Sequence, residues 1–315
     1  MQPAPALVSV ILPAHNRAHL LGRAIQSVLA QTWRALELIV VDDASTDATP
    51  EVLASFSDPR LRTLRQARNG GAAAARNAGI AAARGEFLAF QDDDDIWLIE
   101  KLERQMRALL AEPDDVGLCL SGHFRLEAQG PCYVGGSRAF ANIEFTRGVV
   151  GDFSLVATPG WLLRRRFLEA VGPFDERLRV WDDWELALRL SRVCRIVHLP
   201  EPLYIQDRIQ GGDLVKSDRG HINDLKVVME KHGALWQASP RIHSMHCLTL
   251  GRKLCMLGAG SEGRQSLRRA IAAQPFNGRA WLILLASFTG SAVLRRLNAL
   301  ARRARQLFEL FRMHA

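Results

Sequence analysis

The sequence predicts an α/β fold in which a mostly parallel sheet is covered by helices on both faces. Apolar segments of strand length alternate with segments whose apolar residues recur at helical spacing. Polar and acidic clusters follow several of these strands directly. Because sheets of this kind bind ligands at the carboxyl ends of their strands, we expect the clusters to meet at one edge.

The predicted elements follow from these patterns in chain order. Strands are expected at residues 7–12, 36–41, 61–64 and 87–90. Between and after them, helices are expected at about 20–29, 49 onward, 71–83, 98–109 and 183 onward. Thr49 is expected to be the N-cap of its helix, with Pro50 at the first helical position. From about residue 221 the sequence predicts helix throughout, including a hairpin over about 243–288 that Pro275 interrupts.

Composition limits the classes of protein that fit. The 315 residues are 48% hydrophobic and 23% charged, as in soluble globular proteins. The net charge of +8 favours an anionic partner without distinguishing nucleic acid, a phosphorylated substrate and acidic lipid. The five cysteines form no CxxC pair, so a reducing cytoplasmic location is expected. The start of the chain lacks signal-peptide features, and no apolar run reaches the roughly 18 residues that span a bilayer.

The run Asp92-Asp93-Asp94-Asp95 directly follows a predicted buried strand. Adjacent carboxylates repel one another, and a divalent cation such as Mg²⁺ or Mn²⁺ would relieve that repulsion and neutralise a diphosphate leaving group. The alternative is a solvated acidic turn, and in either case Asp95 is expected to cap the following helix.

Two further polar turns lie beside predicted strand ends. Asp42 and Asp43 could hydrogen-bond a nucleotide base or ribose, or could simply form an Asx-type turn. Residues 69–71 (NGG) precede a helix that carries Arg76. This arginine could meet a phosphate or hold the acidic run, or could be an ordinary solvated side chain.

A third acidic cluster, residues 181–185 (WDDWE), places carboxylates among tryptophans. Trp181 and Trp184 could pack on a sugar ring while Asp182 binds its hydroxyls, and Asp183 could accept a proton from an attacking hydroxyl. Alternatively, Asp183 caps a helix and Trp184 belongs to the core. Local sequence leaves both interpretations open, but several acidic turns at one sheet edge favour an active site.

These motifs, taken in order, resemble the family-2 inverting glycosyltransferases of the GT-A fold, a Rossmann-like class. The resemblance covers residues 8–189, and five segments carry it: 8–17 (VSVILPAHNR), 40–47 (VVDDASTD), 69–79 (NGGAAAARNAG), 87–97 (FLAFQDDDDIW) and 172–189 (GPFDERLRVWDDWELALR). Two departures stand out, because Asp182 replaces the usual glutamate of an acidic pair and Gln91 and Asp93 alter the metal turn.

The resemblance implies a set of donor-site residues. Those expected to bind the nucleotide-sugar are Pro13, Ala14, Asn16, Arg17, Asp42, Asp43, Arg76, Asp92 and Asp93. Asp42 is the expected base contact, with Asp43 close by. Asp94 and Asp92 are the expected ligands of Mn²⁺ or Mg²⁺, with Asp94 the direct one.

It also implies a single-displacement reaction. Asp183 would deprotonate an acceptor hydroxyl as that hydroxyl attacks the anomeric carbon of the donor, most commonly a UDP-sugar. Trp181, Asp182 and Trp184 would contact the acceptor, expected to be a glycan or a lipid-linked molecule. The sugar, the linkage and the oligomeric state are not specified by the sequence.

Two rival functions belong to other classes. A nucleotidyltransferase would usually carry a glycine-rich basic loop after the first strand, whereas residues 13–17 contain no glycine. A catalytically inactive binding module would not need to retain both Asp94 and Asp183. A nucleic-acid partner is not expected, since only the basic charge suggests one.

The predicted organisation is a glycosyltransferase domain at residues 1–220 followed by a helical extension at 221–315. Within the domain, a nucleotide half at about 1–115 precedes an acceptor half at about 116–220. Arginines and apolar residues alternate at helical spacing over residues 295–315, which predicts a basic amphipathic helix. This helix either packs on the body of the protein or contacts anionic lipid. In the second case, a peripheral position on the inner face of the cytoplasmic membrane is expected.

Overall fold

The structure is a computed structural model, and it describes residues 6–128, 130–135, 156–210, 218–234 and 239–296. The chain divides into two compact units, Met1–Leu214 and Val215–Ala315. The first unit is built on a sheet, whereas the described part of the second consists of helices.

The strands of the first unit form one nine-stranded sheet with the order β3-β2-β1-β4-β8-β6-β9-β5, and β7 pairs with β6. Their bounds are β1 Val8–Ala14, β2 Leu36–Asp42, β3 Leu61–Arg65, β4 Phe87–Phe90, β5 Ile96–Trp97, β6 Val116–Glu127, β7 Gly130–Val134, β8 Trp161–Arg164 and β9 Arg195–Asp207. The helices of this unit are α1 Ala18–Leu29, α2 Thr49–Ala54, α3 Ala72–Ala82, α4 Lys101–Ala111, α5 Arg165–Val171 and α6 Asp182–Leu190.

The predicted α/β class is confirmed, and the first half of the sheet is parallel. Strand β1 pairs in parallel with β2 and β4, and β2 pairs in parallel with β3. Every residue of β1, β2 and β4 is buried, which accounts for their nearly continuous apolar sequences. The second half is mixed, because β8 runs antiparallel between β4 and β6 while β6 pairs in parallel with β9.

The start of α2 differs from the prediction. Thr49 is already helical and does not supply the cap. Instead, Asp47 accepts hydrogen bonds from the backbone N–H of Thr49 at 3.0 Å and from its hydroxyl at 2.6 Å. The other oxygen of Asp47 accepts from the N–H of Ala18 at 2.9 Å, in the first turn of α1. One carboxylate therefore stabilises the starts of two helices.

The expected helix cap at Asp95 is also wrong. The short strand β5 follows this residue, and α4 begins only at Lys101. Asp95 instead accepts a hydrogen bond at 3.2 Å from the backbone N–H of Asp207 at the end of β9. Pairing of β5 with β9 thus holds the acidic run against the sheet.

The described helices of the second unit are α7 Asp218–Lys231, α8 Pro240–Met256, α9 Gly260–Ala273 and α10 Gly278–Ala286. The predicted hairpin corresponds to α8 and α9, and α9 ends before Pro275 as expected. A side chain at Gly251 or Gly263 would clash with the backbone carbonyl of the other residue at 2.8 Å, so these glycines let the two helices pack closely.

The predicted basic amphipathic helix falls mostly on residues 297–315, which lie outside the described residues. Of its arginines, Arg295 and Arg296 are described, and Arg295 donates to the carbonyl of Met256 at 2.8 Å. Among the helices that the structure describes, none has the length and hydropathy needed to cross a membrane.

Replacing Asp47 by alanine is expected to lower the free energy of unfolding of the first unit by about 1–2 kcal/mol, because two helix starts lose an acceptor. Asp47→Asn should lose less, since it keeps a carbonyl oxygen. Urea unfolding monitored by circular dichroism measures the difference. Glu51→Ala, an exposed acidic position in the first turn of α2, is the control. An equal loss in the control would contradict the assignment of the cap.

Candidate active site

The segments after β1 and β2 are joined by hydrogen bonds around Asn16. Its side-chain oxygen accepts from the backbone N–H of Thr46 at 2.8 Å, and its own N–H donates to the hydroxyl of Ser45 at 3.0 Å. Asn16 has a φ of 53°, a left-handed conformation that asparagine adopts more readily than most residues. Pro13 and Ala14 are buried at the end of β1. The predicted PxxN turn therefore packs against the acidic turn that follows β2.

Asp42 and Asp43 are both buried and both accept hydrogen bonds from the protein. Asp42 accepts from the N–H of Ser45 at 2.8 Å and lies 3.3 Å from the guanidinium of Arg65. The two oxygens of Asp43 accept from the N–H groups of Gly70 and Gly71 at 2.8 and 2.7 Å. These contacts establish a structural role for both carboxylates, and the expected base contact of Asp42 remains a prediction.

Gly71 has a positive φ of 89°, a conformation that glycine favours over residues with a side chain. A Cβ there would lie 2.1 Å from the guanidinium of Arg179, so the end of that arginine would have to move. Arg179 donates to the carbonyl of Gly70 at 2.8 Å. The glycine turn before α3 is consequently held from one side by Asp43 and from the other by Arg179.

The acidic run after β4 is surrounded by basic groups. Arg17 forms an ion pair with Asp94 and lies 3.7 Å from Asp93. Asp93 also accepts a hydrogen bond at 3.2 Å from the backbone N–H of His15. Burial and the neighbouring charge of Asp94 raise the pKa of Asp93 to about 7, despite Arg17. Arg17 and Asp93 thus connect the β1 turn to the acidic run.

Three of the four carboxylates are placed to share a cation. Oxygen atoms of Asp92, Asp94 and Asp95 lie within 4.8 Å of one another. One of them, Oδ2 of Asp95, is buried and has no hydrogen-bond partner among the described residues. Burial, followed by the charges of Asp92 and Asp94, raises the pKa of Asp95 well above its usual value. Oxygen donors with an unsatisfied buried member suit a hard divalent ion, so the residues fit Mg²⁺ or Mn²⁺. The sequence pointed to Asp92 and Asp94 and missed Asp95 as a third member.

Arg76 links the acidic run to the predicted acceptor side. Its guanidinium donates to Asp92 at 2.7 Å and to Asp182 at 2.7 Å. The side chain is only 7% exposed, so both ion pairs are shielded from water at the arginine. A helix arginine that sequence alone left open as solvated is therefore a buried bridge between two acidic clusters.

Asp183 lies beside this bridge in the first turn of α6. Burial and the adjacent charge of Asp182 raise its pKa to about 8, while Arg76 opposes the shift. One oxygen accepts from the N–H of Trp184 at 2.6 Å. As a residue, Asp183 is half-buried, and its raised pKa makes its ionised form a stronger base than an ordinary aspartate.

The two tryptophans of this cluster pack edge-to-face, with their ring centroids 5.3 Å apart. Trp181 and Trp184 are 8% and 2% exposed, respectively. For Trp184 this burial favours the core interpretation, and contact with an acceptor remains a prediction for both residues.

Two further side chains, those of Asn77 and Arg23, hold the site together, and the sequence analysis assigned neither of them a role. Asn77 pairs with the backbone of Phe174, accepting from its N–H at 2.9 Å and donating to its carbonyl at 3.0 Å. Arg23 donates to the carbonyl of Asp94 at 3.0 Å and to the carboxylate of Asp207 at 2.7 Å. Because the partners of these contacts lie far apart in the chain, no local sequence pattern indicated the contacts.

Comparison with known proteins establishes the family. Residues 9–132 match the model of glycosyl transferase family 2. The putative colanic acid biosynthesis glycosyl transferase WcaA of Escherichia coli is 31% identical over 214 residues, which cover 65% of this chain and 71% of that protein. The chain belongs to glycosyl transferase family 2.

A second relative is more similar over a shorter stretch. The UDP-Glc:alpha-D-GlcNAc-diphosphoundecaprenol beta-1,3-glucosyltransferase WfgD of Escherichia coli is 45% identical over 104 residues, which cover 33% of this chain and 41% of WfgD. The chain therefore spans about two fifths of the length of this relative.

Solved structures support the GT-A fold. Residues 1–349 of S. aureus TarS, in complex with UDP-GlcNAc, superpose with a TM-score of 0.65 at 18% identity, covering 95% of this chain and 92% of that one. The mannosyltransferase PcManGT from Pyrobaculum calidifontis, in complex with GDP-Man and Mn²⁺, gives a TM-score of 0.58 at 20% identity, covering 96% and 87%.

Arg76→Met is expected to destabilise the first unit by about 3 kcal/mol or more, because the buried Asp182 loses its cation. Arg76→Lys should be intermediate, since one ammonium replaces a forked donor. The double variant Arg76→Met/Asp182→Asn should recover part of the loss by removing the uncompensated charge. Urea unfolding measures all three, with the exposed Arg68→Met as the control. Unchanged stability in Arg76→Met would contradict the bridging role.

Proposed function

We propose that this protein transfers a sugar from a nucleotide-sugar, with a UDP-sugar as the expected donor, to a hydroxyl group of a glycan or lipid-linked acceptor. The observation that carries the proposal is the Arg76 bridge. It brings Asp92, a member of the candidate cation site, next to Asp182 and its neighbour Asp183, the candidate base. A sugar transferase needs a cation for the leaving nucleotide on one side of the anomeric carbon and a base for the acceptor hydroxyl on the other.

The relatives support the donor and acceptor classes. WfgD is named for transfer from UDP-Glc to a diphosphoundecaprenol-linked sugar, and the TarS structure holds UDP-GlcNAc. We propose that this chain likewise uses a UDP-sugar donor and a lipid-linked acceptor. A lipid-linked acceptor would place the enzyme in the cytoplasm at the inner face of the cytoplasmic membrane.

The donor would bind at the carboxyl ends of β1, β2 and β4. We assign the nucleotide base of the donor to the linked turns that contain Asn16 and Asp42. Asp43 fixes the neighbouring glycine turn. The diphosphate would lie toward the acidic run, with Arg17, which is paired with Asp94 in the structure, as a cation on the β1 side. This arrangement uses the residues that the family resemblance identified and assigns Asp43 a positioning role.

Asp92, Asp94 and Asp95 would hold the divalent ion. A bound Mg²⁺ or Mn²⁺ would neutralise charge on the departing nucleoside diphosphate. Arg76 keeps Asp92 oriented through its hydrogen bond, and Arg23 fixes the backbone of Asp94. These contacts limit the rearrangement that the carboxylates need in order to act as ligands.

Asp183 would act as the general base. Its ionised carboxylate accepts the proton of the acceptor hydroxyl while the hydroxyl oxygen attacks the anomeric carbon on the face opposite the nucleotide. The bond to the nucleotide breaks in the same step, so the anomeric configuration inverts. Arg76 pairs with the neighbouring Asp182, so we assign proton acceptance to Asp183.

Removal of the divalent ion with EDTA is expected to abolish transfer, and Mn²⁺ or Mg²⁺ should restore it. Asp94→Ala should weaken UDP binding in the presence of Mn²⁺ by about tenfold or more, because the ion links the protein to the diphosphate. Isothermal titration calorimetry measures this affinity. Asp114→Ala, at a side chain that is 86% exposed, is the matched control. Wild-type UDP affinity in Asp94→Ala would show that Asp94 is not a ligand.

Asp183→Asn is expected to reduce transfer by ~10² or more while leaving UDP affinity unchanged, because the amide cannot accept a proton. In the wild type, transfer should increase as pH rises through about 8, where Asp183 loses its proton, and this dependence should vanish in the variant. Initial rates across pH test both statements. Glu169→Gln, at an exposed acidic residue of α5, controls for acid-to-amide replacement. If Asp182→Asn removes the pH dependence and Asp183→Asn does not, the base is Asp182.

A further inference from the structure

The helix α10 of the second unit has apolar residues on two opposite faces. One face packs inward through Ala280 and Leu284, which are 0% and 8% exposed. The other face carries Leu282 and Leu285, and Phe288 follows just after the end of the helix; each of these three residues is about two-thirds exposed. A helix that is apolar all round is normally covered on every side, so the outer face is expected to have an occupant.

The turn before α10 extends this outer face. Phe276 is fully exposed, at 102% of its reference area. The turn that displays it is held by defined hydrogen bonds, because Trp281 donates to the carbonyl of Pro275 at 2.9 Å and Asn277 caps α10. Because the turn around Phe276 is held in this way, burying the ring would mainly require ordering of its side chain.

The segment that contains this face is strongly basic in sequence. Residues 257–296 contain six arginines and a single acidic residue, Glu262, which is paired with Lys226. Two of the arginines are placed at the face: Arg279 lies on α10 itself, and the guanidinium of Arg264 lies 5.0 Å from the ring centroid of Phe288. An occupant that is both apolar and anionic complements these residues, whereas a second copy of this face would bring like charges together.

We propose that Phe276, Trp281, Leu282, Leu285 and Phe288 form a lipid-contact face, which docks the second unit on the surface of an anionic bilayer. Aromatic and leucine side chains would enter the headgroup region, where tryptophan and phenylalanine are favoured, and the arginines would pair with anionic lipid headgroups. The lipid-contact face is distinct from the sequence-predicted tail at 297–315. The inference extends the proposed action on a lipid-linked acceptor, but its test requires neither donor nor acceptor.

The test measures sedimentation of the full-length protein with vesicles of phosphatidylcholine, with and without phosphatidylglycerol. The wild type should bind the anionic vesicles, and added salt should weaken binding. Leu282→Glu/Leu285→Glu should lower the partition coefficient by about tenfold or more, because it removes apolar contact and adds repulsion. Leu110→Glu, a 51% exposed leucine on α4, is the matched control and should bind like the wild type.

Three further measurements test folding, insertion of Trp281 and the contribution of the tail separately. Circular dichroism should show equal melting of the double variant and the wild type, since both leucines are exposed. Brominated lipids should quench part of the tryptophan fluorescence, and Trp281→Phe should remove that part. A chain lacking residues 297–315 should retain binding that Leu282→Glu/Leu285→Glu abolishes.

Equal vesicle binding by the double variant and the wild type would overturn the proposal, as would complete loss of binding on removal of residues 297–315 alone. A dimer that light scattering detects in the wild type and not in the double variant, without vesicle binding, would assign the face to a second copy instead. Failure of sugar transfer with intact vesicle binding would reject only the function proposed above.

Discussion

The paired contact of Arg76 with Asp92 and Asp182 is the interaction on which the site depends. The two acids lie 90 residues apart in the chain and belong to a strand-end turn and a helix start. Each would repel the other without a cation between them. Because the arginine is buried, its charge is poorly screened, and its planar fork sets the direction of both carboxylates. The position of Asp183 relative to the acidic run follows from that geometry.

Charge compensation extends beyond this bridge. Arg17 pairs with Asp94, and Arg23 joins the backbone of Asp94 to Asp207. These arginines come from the segments that follow β1, so the same part of the fold that shapes the base-side turn also balances the acidic run. Asp95 differs, because one of its buried oxygens has no partner among the described residues. This buried oxygen of Asp95 is therefore the atom of the acidic run at which an additional cation would be most stabilising.

Local sequence patterns were sufficient for the parallel half of the sheet and for the identity of the acidic turns. Apolar strand segments, such as that of β2, and the acids directly after them are local signals. The sequence did not indicate that β8 inserts antiparallel beside β4, because strand pairing is decided by contacts far apart in the chain. The same reason explains Asp95, whose partner Asp207 lies 112 residues away. The wrong cap at Thr49 has a local cause instead, because Asp47, two residues earlier, supplies the acceptor.

The pairing of Asn77 with Phe174 has a consequence for how such an enzyme can diversify. The amide of Asn77 contacts the main-chain N–H and carbonyl at position 174 and so recognises backbone atoms that every residue type except proline supplies. The same amide also donates to the carboxylate of Glu176 at 2.9 Å, so one side chain of the following turn takes part in the connection. The backbone hydrogen bonds themselves do not depend on which side chain stands at position 174, so α3 stays joined to the segment before α6 when that residue changes.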